Sequence, residues 1–257
     1  MKCIVIVAFL LFTCIIGNAQ TPSPTPVIDG AAEKARADRL QGRLTDFATL
    51  ARYRDANAAL APPAKNEDRV VFFGDSITDG WKLAEQFPGK PYVNRGIGGQ
   101  STYHMLLRFR ADVIDLKPKV VVILAGTNDI SVPTEQFKVE TVKSNLQSMV
   151  DLAHANGIKV VLSSILPVSD YNSNAKGDKI IRTGTRPPAL INELNSWIKT
   201  LCSTRGIVYL DYFSAMSDDK GLFKSELARD GLHPNQDGYS VMKPLAEVAI
   251  KQALKKK

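Results

Sequence analysis

Two runs of consecutive apolar residues, Val70-Val71-Phe72-Phe73 and Val120-Val121-Val122-Ile123-Leu124-Ala125, constrain this chain more than any other feature. Both are short, rich in β-branched or aromatic residues, and free of polar alternation. Such runs read as strands buried on both faces of a parallel sheet. Weaker runs at residues 92–95, 159–165 and 207–210 add three strands. Helical stretches near residues 102–115, 135–156, 188–205 and 236–254 alternate with them. Alternation of this kind predicts a three-layer αβα sandwich. Right-handed crossovers leave few topologies. The flavodoxin-like order 2-1-3-4-5 puts the first strand at the centre, with the loop after it near the switch point where open α/β sheets bind ligands. A chain of 257 residues, 44% hydrophobic and 23% charged, suits one such domain.

The amino-terminal part has a different character. Met1-Lys2-Cys3 opens into an apolar run from Ile4 to Ile16, followed by Gly17-Asn18-Ala19. A basic start, an apolar stretch and small residues before a cleavage point predict a secretory signal peptide over residues 1–19. The run is too short to span a bilayer, so no stable membrane insertion is expected. Thr13 is a poor residue before a lipid-modified cysteine, which argues against an anchor at Cys14. The expected location is secreted or periplasmic. Without the leader only Cys202 remains, so no disulfide can form, which suits a bacterial exterior. Residues 20–30, rich in Pro, Thr and Ser, read as a linker. Residues 31–68 read as a helical extension packing on the core, with Leu40, Leu44, Phe47, Leu50 and Tyr53 at helical spacing. The main domain is expected over residues 69–257.

Composition excludes some classes. The net charge is +7, but no basic stripe carries interleaved aromatics, so no nucleic-acid partner is expected. Three histidines and one cysteine of the mature chain show no zinc spacing. No metal and no cofactor are predicted. Nothing in the sequence specifies an oligomeric state.

Chemistry concentrates at the loops after the strands. Gly74-Asp75-Ser76 ends the first apolar run. Gly74 permits a sharp turn, and Ser76 then sits where a nucleophile would be exposed. Asp75 or Ser76 could equally cap the next helix. A reactive serine needs a base, an orienting group and donors for an oxyanion. Asp230-Gly231-Leu232-His233 supplies a carboxylate and an imidazole three residues apart in a loop. The carboxylate could hold one ring nitrogen while the other faces Ser76. His104 and His154 lie in helical patterns and read as capping or surface residues. Donors could come from Asn94-Arg95-Gly96-Ile97-Gly98-Gly99, where glycines bare the backbone N–H groups. Asn128 in Gly126-Thr127-Asn128-Asp129 offers an amide NH₂. A tight turn in the first of these loops and a helix cap in the second would also account for their residues.

These four blocks together resemble the SGNH hydrolases, the GDSL-type esterases and lipases, including bacterial secreted relatives of platelet-activating-factor acetylhydrolase catalytic subunits. Isoleucine at position 77 replaces the family's leucine. The resemblance covers residue 69 to the end. It implies Ser76 as nucleophile, His233 as general base and Asp230 as its orienter. It also implies an oxyanion hole from the Ser76 and Gly99 N–H groups and the Asn128 side chain, with Gly98 as the alternative glycine. The implied activity is ester hydrolysis through an acyl-enzyme; the expected substrate is a small-molecule, glycan or lipid ester of a short acyl group, acetyl above all, with a lysophospholipid or short-chain lipid ester as the competitor.

Asp75, Gly98, Trp81 and Tyr171 are candidate substrate contacts. The connection at residues 168–188 is long and carries Tyr171, Lys176, Lys179, Arg182 and Arg186. It is expected either to wall the acyl or sugar site or to be a solvated loop. Two other classes compete: an acyltransferase on the same residues, and a glycan-binding protein that retains the fold. A phosphate-binding loop is disfavoured because Asp75 would repel the phosphate.

Overall fold

Val70, Val71, Phe72 and Phe73 are all buried, as an unbroken apolar run requires when both faces of a sheet are covered. They lie in β1 (Val70–Gly74), followed by β2 (Tyr92–Gly96), β3 (Val120–Leu124), β4 (Lys159–Ser163) and β5 (Val208–Leu210). The strands form one parallel sheet in the order β2-β1-β3-β4-β5, as the alternation of runs predicts. This computed structural model describes residues 30–131 and 139–256. The expected leader and nearly all of the expected linker lie outside the described residues.

Ten α-helices are described. They are α1 (Gly30–Thr45), α2 (Arg54–Ala59), α3 (Ser76–Asp79), α4 (Leu83–Gln86) and α5 (Thr102–Asp112), then α6 (Thr127–Ile130), α7 (Val139–Ala155), α8 (Pro188–Thr204), α9 (Tyr212–Met216) and α10 (Gln236–Lys255). Alternate residues of each strand feed two separate cores. Val71, Phe73, Val121 and Ile123 pack with Met105, Phe109, Leu146, Met149 and Ile198 from α5, α7 and α8. Val70, Phe72, Val120 and Val122 pack with Met242, Ala246 and Ile250 of α10 and with Trp81 and Phe87. Each fully buried Val or Phe side chain contributes on the order of 1.5–3 kcal/mol. The two cores clamp the sheet and hold the carboxyl ends of β1, β2 and β3 in register: Gly74 pairs with Gly96 on one side and Leu124 on the other.

The chain divides into two units after Gln41. In the first, residues 30–41 are helical and form the beginning of α1. In the second, from Gly42 onward, the apolar residues at helical spacing do not form one buried stripe. The α1 helix stops at Thr45, because the Asp46 carboxylate accepts from the Leu50 and Ala51 amides and turns the chain. Leu44, Phe47 and Leu50 are exposed. Tyr53 alone among them reaches inward, and its hydroxyl donates to the Gly96 carbonyl.

Candidate active site

The turn after β1 is dictated by close approach. A Cβ on Gly74 would lie 2.1 Å from Thr78 Oγ1 and 2.8 Å from the Leu124 carbonyl, so only glycine fits between β3 and α3. Asp75 is the N-cap of α3, its Oδ1 accepting from the Ile77 N–H at 2.9 Å. Ser76 is then the first helical residue. Its own N–H has no intrahelical acceptor and its side chain is partly exposed.

The partner comes from the other end of the chain. Ser76 Oγ is 3.0 Å from His233 Nε2. His233 Nδ1 is 2.9 Å from Asp230 Oδ2 and 3.1 Å from Oδ1. Asp230 Oδ1 also accepts from the Leu232 and His233 amides at 3.1 and 2.9 Å. Burial would push the Asp230 carboxyl up, but the His233 amide and ring outweigh it and hold the group at about 2. An ionised carboxylate can only accept, so Nδ1 carries the hydrogen and Nε2 is free to accept the Ser76 hydroxyl. The loop is closed by the Arg229 N–H on the His233 carbonyl at 2.8 Å, and Asn235 caps α10 directly behind it.

Two further loops converge here. Gly98 and Gly99 are exposed beside β1's turn; a Cβ on Gly98 would sit 3.7 Å from Ser76 Cβ. The Gly98 N–H is engaged by Asp79 Oδ2 at 3.3 Å. Gly99 has φ of +77°, a left-handed conformation that favours glycine, and no described residue accepts from its N–H. Asn128 Nδ2 donates to the Gln100 carbonyl at 3.1 Å, and Asn128 Oδ1 receives Arg186 Nη2 at 3.5 Å. With one amide hydrogen committed to Gln100, the second remains to donate.

Chemically, this places a hydroxyl on an imidazole and the imidazole on a carboxylate, with the glycine loop beside the serine. Such a set can form and cleave acyl esters. The family model for the GDSL-like lipase/acylhydrolase family matches residues 72–241, from within β1 to the first turns of α10. The chain belongs to the GDSL-like lipase/acylhydrolase family. A GDSL-like lipase from Bacteroides thetaiotaomicron is 38% identical, with a TM-score of 0.72, covering 80% of this chain and 99% of that one. Human platelet-activating factor acetylhydrolase IB subunit alpha2 is 27% identical over 199 residues, 72% of this chain and 77% of its own. The Bacillus subtilis lipoprotein YqeF is 34% identical over 122 residues, 40% of this chain. That match spans only 50% of the lipoprotein's own length.

Within this GDSL-family fold one candidate substrate contact, Asp75, is corrected. Asp75 is 0% exposed and caps α3 from below, so it cannot contact substrate. Burial pushes its carboxyl up to about 7, the Ile77 amide opposing and Asp129 reinforcing. Trp81 is buried too, stacked on Tyr239 at 5.4 Å and edge-on to Phe72 at 5.5 Å; it packs in the core and also lines a groove with Gln86, Arg229 and Tyr239. Phe87 packs beside it. The exposed Tyr171 hydroxyl is tied to Asp218 Oδ2 at 2.8 Å. His104 closes a capping box with Ser101 at the start of α5. Cys202 is buried and its thiol is pushed up to about 12 by that burial.

Sequence reasoning missed Arg108. It is fully buried in α5, where arginines read as surface charge. Its guanidinium donates to the Gly74 carbonyl at 2.9 Å, the Arg95 carbonyl at 2.8 Å, Gln100 Oε1 at 2.5 Å and Asp112 Oδ2 at 3.0 Å. It thereby ties together the ends of β1 and β2 and the glycine loop. Only its i,i+4 spacing to Asp112 was a sequence signal, and a weak one.

Proposed function

We propose that this protein hydrolyses short-acyl esters, acetyl esters above all, through an acyl-enzyme on Ser76. The observation that carries this is the Ser76–His233–Asp230 line, with contacts of 3.0 and 2.9 Å. His233 Nε2 takes the hydroxyl proton as Ser76 Oγ attacks the ester carbonyl carbon. The oxyanion is received by the Ser76 and Gly99 N–H groups and the Asn128 amide. Collapse expels the alcohol, which takes the proton back from Nε2. Water then repeats the sequence on the acyl-Ser76 ester, releasing acid and restoring the serine.

The relative named as an acetylhydrolase supports the preference for acetyl. Carbohydrate or lipid alcohols are the natural partners in this reading, and a lipid ester is the second reading, favoured by the relative named as a lipase. Export is part of the proposal. It is supported by the leader pattern and by the relative named as a lipoprotein. Among the described residues no helix is long and apolar enough to cross a membrane.

The test is release of p-nitrophenol from acetate, butyrate and octanoate esters by the protein from Gln20 onward. Ser76→Ala should abolish release, and rates should fall with chain length. Equal rates in the Ser76→Ala variant would overturn the mechanism. A maximum at octanoate would overturn the preference for short acyl groups. Activity that appears only when an acceptor alcohol is added would mark an acyltransferase.

A further inference from the structure

The connection between β4 and α8 reaches the site at two places through two arginines one turn apart. The Arg186 N–H donates to the Arg182 carbonyl at 2.9 Å, which makes residues 182–186 a single turn. Arg182 Nε donates to the Asp230 carbonyl at 3.1 Å, and its Nη2 to Asp230 Oδ2 at 3.0 Å. That oxygen is the one that holds His233 Nδ1. Arg186 is 8% exposed. Its Nε donates to the Thr127 carbonyl at 3.1 Å and its Nη2 faces Asn128 Oδ1 at 3.5 Å.

We propose that Arg182 and Arg186 are positioning residues, the first setting the carboxylate of Asp230 and the second setting the amide of Asn128. This rests on the serine-hydrolase reading above. A guanidinium has donors only, so Arg186 can pair with nothing but the oxygen end of the Asn128 amide. The NH₂ end is therefore turned toward Gln100 and the glycine loop, where the oxyanion forms. Without Arg186 the amide orientation rests on the Gln100 carbonyl alone, at 3.1 Å, and the NH₂ end is held less firmly in place. Arg182 similarly fills the lone-pair direction of Asp230 that His233 leaves open, and its bond to the Asp230 main chain fixes where the loop begins. The turn is itself fixed from β4's side. Asp170 accepts from the Arg182 and Thr183 amides at 2.6 and 3.0 Å and from the Thr183 hydroxyl at 2.5 Å. One segment thus holds the base's orienter and an oxyanion donor at a common spacing, although they lie on different loops.

The test is a set of double-mutant cycles. Arg186→Met is made in wild type, in Asn128→Ala and in Asp75→Asn, since the Asp75 carboxyl also acts on Arg186 by charge. Arg182→Met is made in wild type and in Asp230→Asn. Each is read as kcat and KM on p-nitrophenyl acetate. Each is also read as the rate of Ser76 phosphorylation by diisopropyl fluorophosphate, which needs the base and the oxyanion donors but no acyl pocket. Wild-type protein that reacts with neither reagent fails the serine-hydrolase reading; failure of the cycles alone fails this inference. Each arginine variant should lower kcat roughly tenfold with KM little changed, because small misplacements of reacting groups are costly. Arg186→Met should cost no more than about twofold in Asn128→Ala, and Arg182→Met likewise in Asp230→Asn, since coupled residues are non-additive. In Asp75→Asn the Arg186→Met loss should stay tenfold. Arg186→Lys should resemble Arg186→Met, because an ammonium lacks the planar fork. Undiminished losses in the partner backgrounds, or a loss confined to KM, would overturn the proposal. Should Arg186→Met fail to fold by circular dichroism, Asp170→Asn loosens the same turn without stranding a buried charge. It should lower kcat in wild type and not in the Asn128→Ala, Asp230→Asn background; an unchanged kcat in wild type would overturn the proposal.

Discussion

Ser76 Oγ and His233 Nε2 stand 3.0 Å apart although 157 residues separate them. The sheet makes this possible. β1 is an interior strand between β2 and β3, and α10 packs across β3, β4 and β5 on the face that carries Phe72 and Val122. The loop before α10 is thereby delivered to the carboxyl end of β1. The contact is a consequence of topology, and the chemistry depends on a handful of polar contacts laid over it.

Asp230→Asn should lower kcat by roughly 10²–10⁴, because the asparagine NH₂ faces His233 Nδ1–H and favours the wrong tautomer. The loss should be smaller than in Ser76→Ala. The Asp230 carboxyl lies at about 2, below its ordinary 3.8. A depressed acid stabilises the fold above its unfolded pKa and loses that contribution as pH falls. Wild type should therefore lose stability relative to Asp230→Asn between about pH 4 and pH 2, read by urea midpoints at each pH. Parallel curves for the two proteins would contradict the assignment.

Asn128→Ala should reduce kcat on p-nitrophenyl acetate by about 10²–10³ and leave KM within a few fold, the pattern of a donor used chiefly in the transition state. A change confined to KM would place Asn128 in ground-state binding instead.

Arg108→Met should be strongly destabilising, by about 3–5 kcal/mol, because it strands Asp112 and three further acceptors in a buried setting. The denaturant midpoint should fall without a change in slope. A loss below about 1 kcal/mol, the worth of a surface pair, would show that water replaces the guanidinium.

Asp75→Asn tests the buried carboxyl beneath the serine. Its pKa is raised to about 7, so the folded state favours the neutral acid. That preference stabilises the protein fully below about pH 4 and is lost as pH rises through 7, at up to about 1.4 kcal/mol per pH unit. Asp129, raised to about 6 by burial, acts in the same direction but is spent above that pH. Arg108 and Arg186 oppose the shift of Asp75. Between pH 6 and pH 7 the wild-type Tm should therefore fall relative to Asp75→Asn. Equal slopes in that window would mean that the carboxyl is already ionised or reached by water.

Much of the molecule was legible in one dimension. Apolar runs such as Val70–Phe73 and Val120–Ala125 specify buried parallel strands locally, because burial on both faces leaves no room for polar alternation. Crossover handedness leaves few strand orders, 2-1-3-4-5 among them. Ser76 and Asn128 stand out in glycine-bearing loops after strands, and Asp230 and His233 in a Gly/Pro loop before the last helix, because folding alone seldom calls for reactive groups there. What the sequence cannot carry is direction and burial. Asp75 and Trp81 lie within a few residues of Ser76 and read as candidate substrate contacts, yet both are buried. Arg108 reads as an ordinary helix charge, and Arg182 and Arg186 as part of a connection that either walls the site or is solvated, since nothing local distinguishes a guanidinium that meets distant acceptors from one in water. Their roles depend on carbonyls and carboxylates from other loops, and only packing of the helices on the sheet decides which of those lie within about 3 Å. The chain by itself determined the sheet and the reactive set; the tertiary structure decided which polar groups hold that set in place, because long-range hydrogen bonds exist only after the backbone has closed around them.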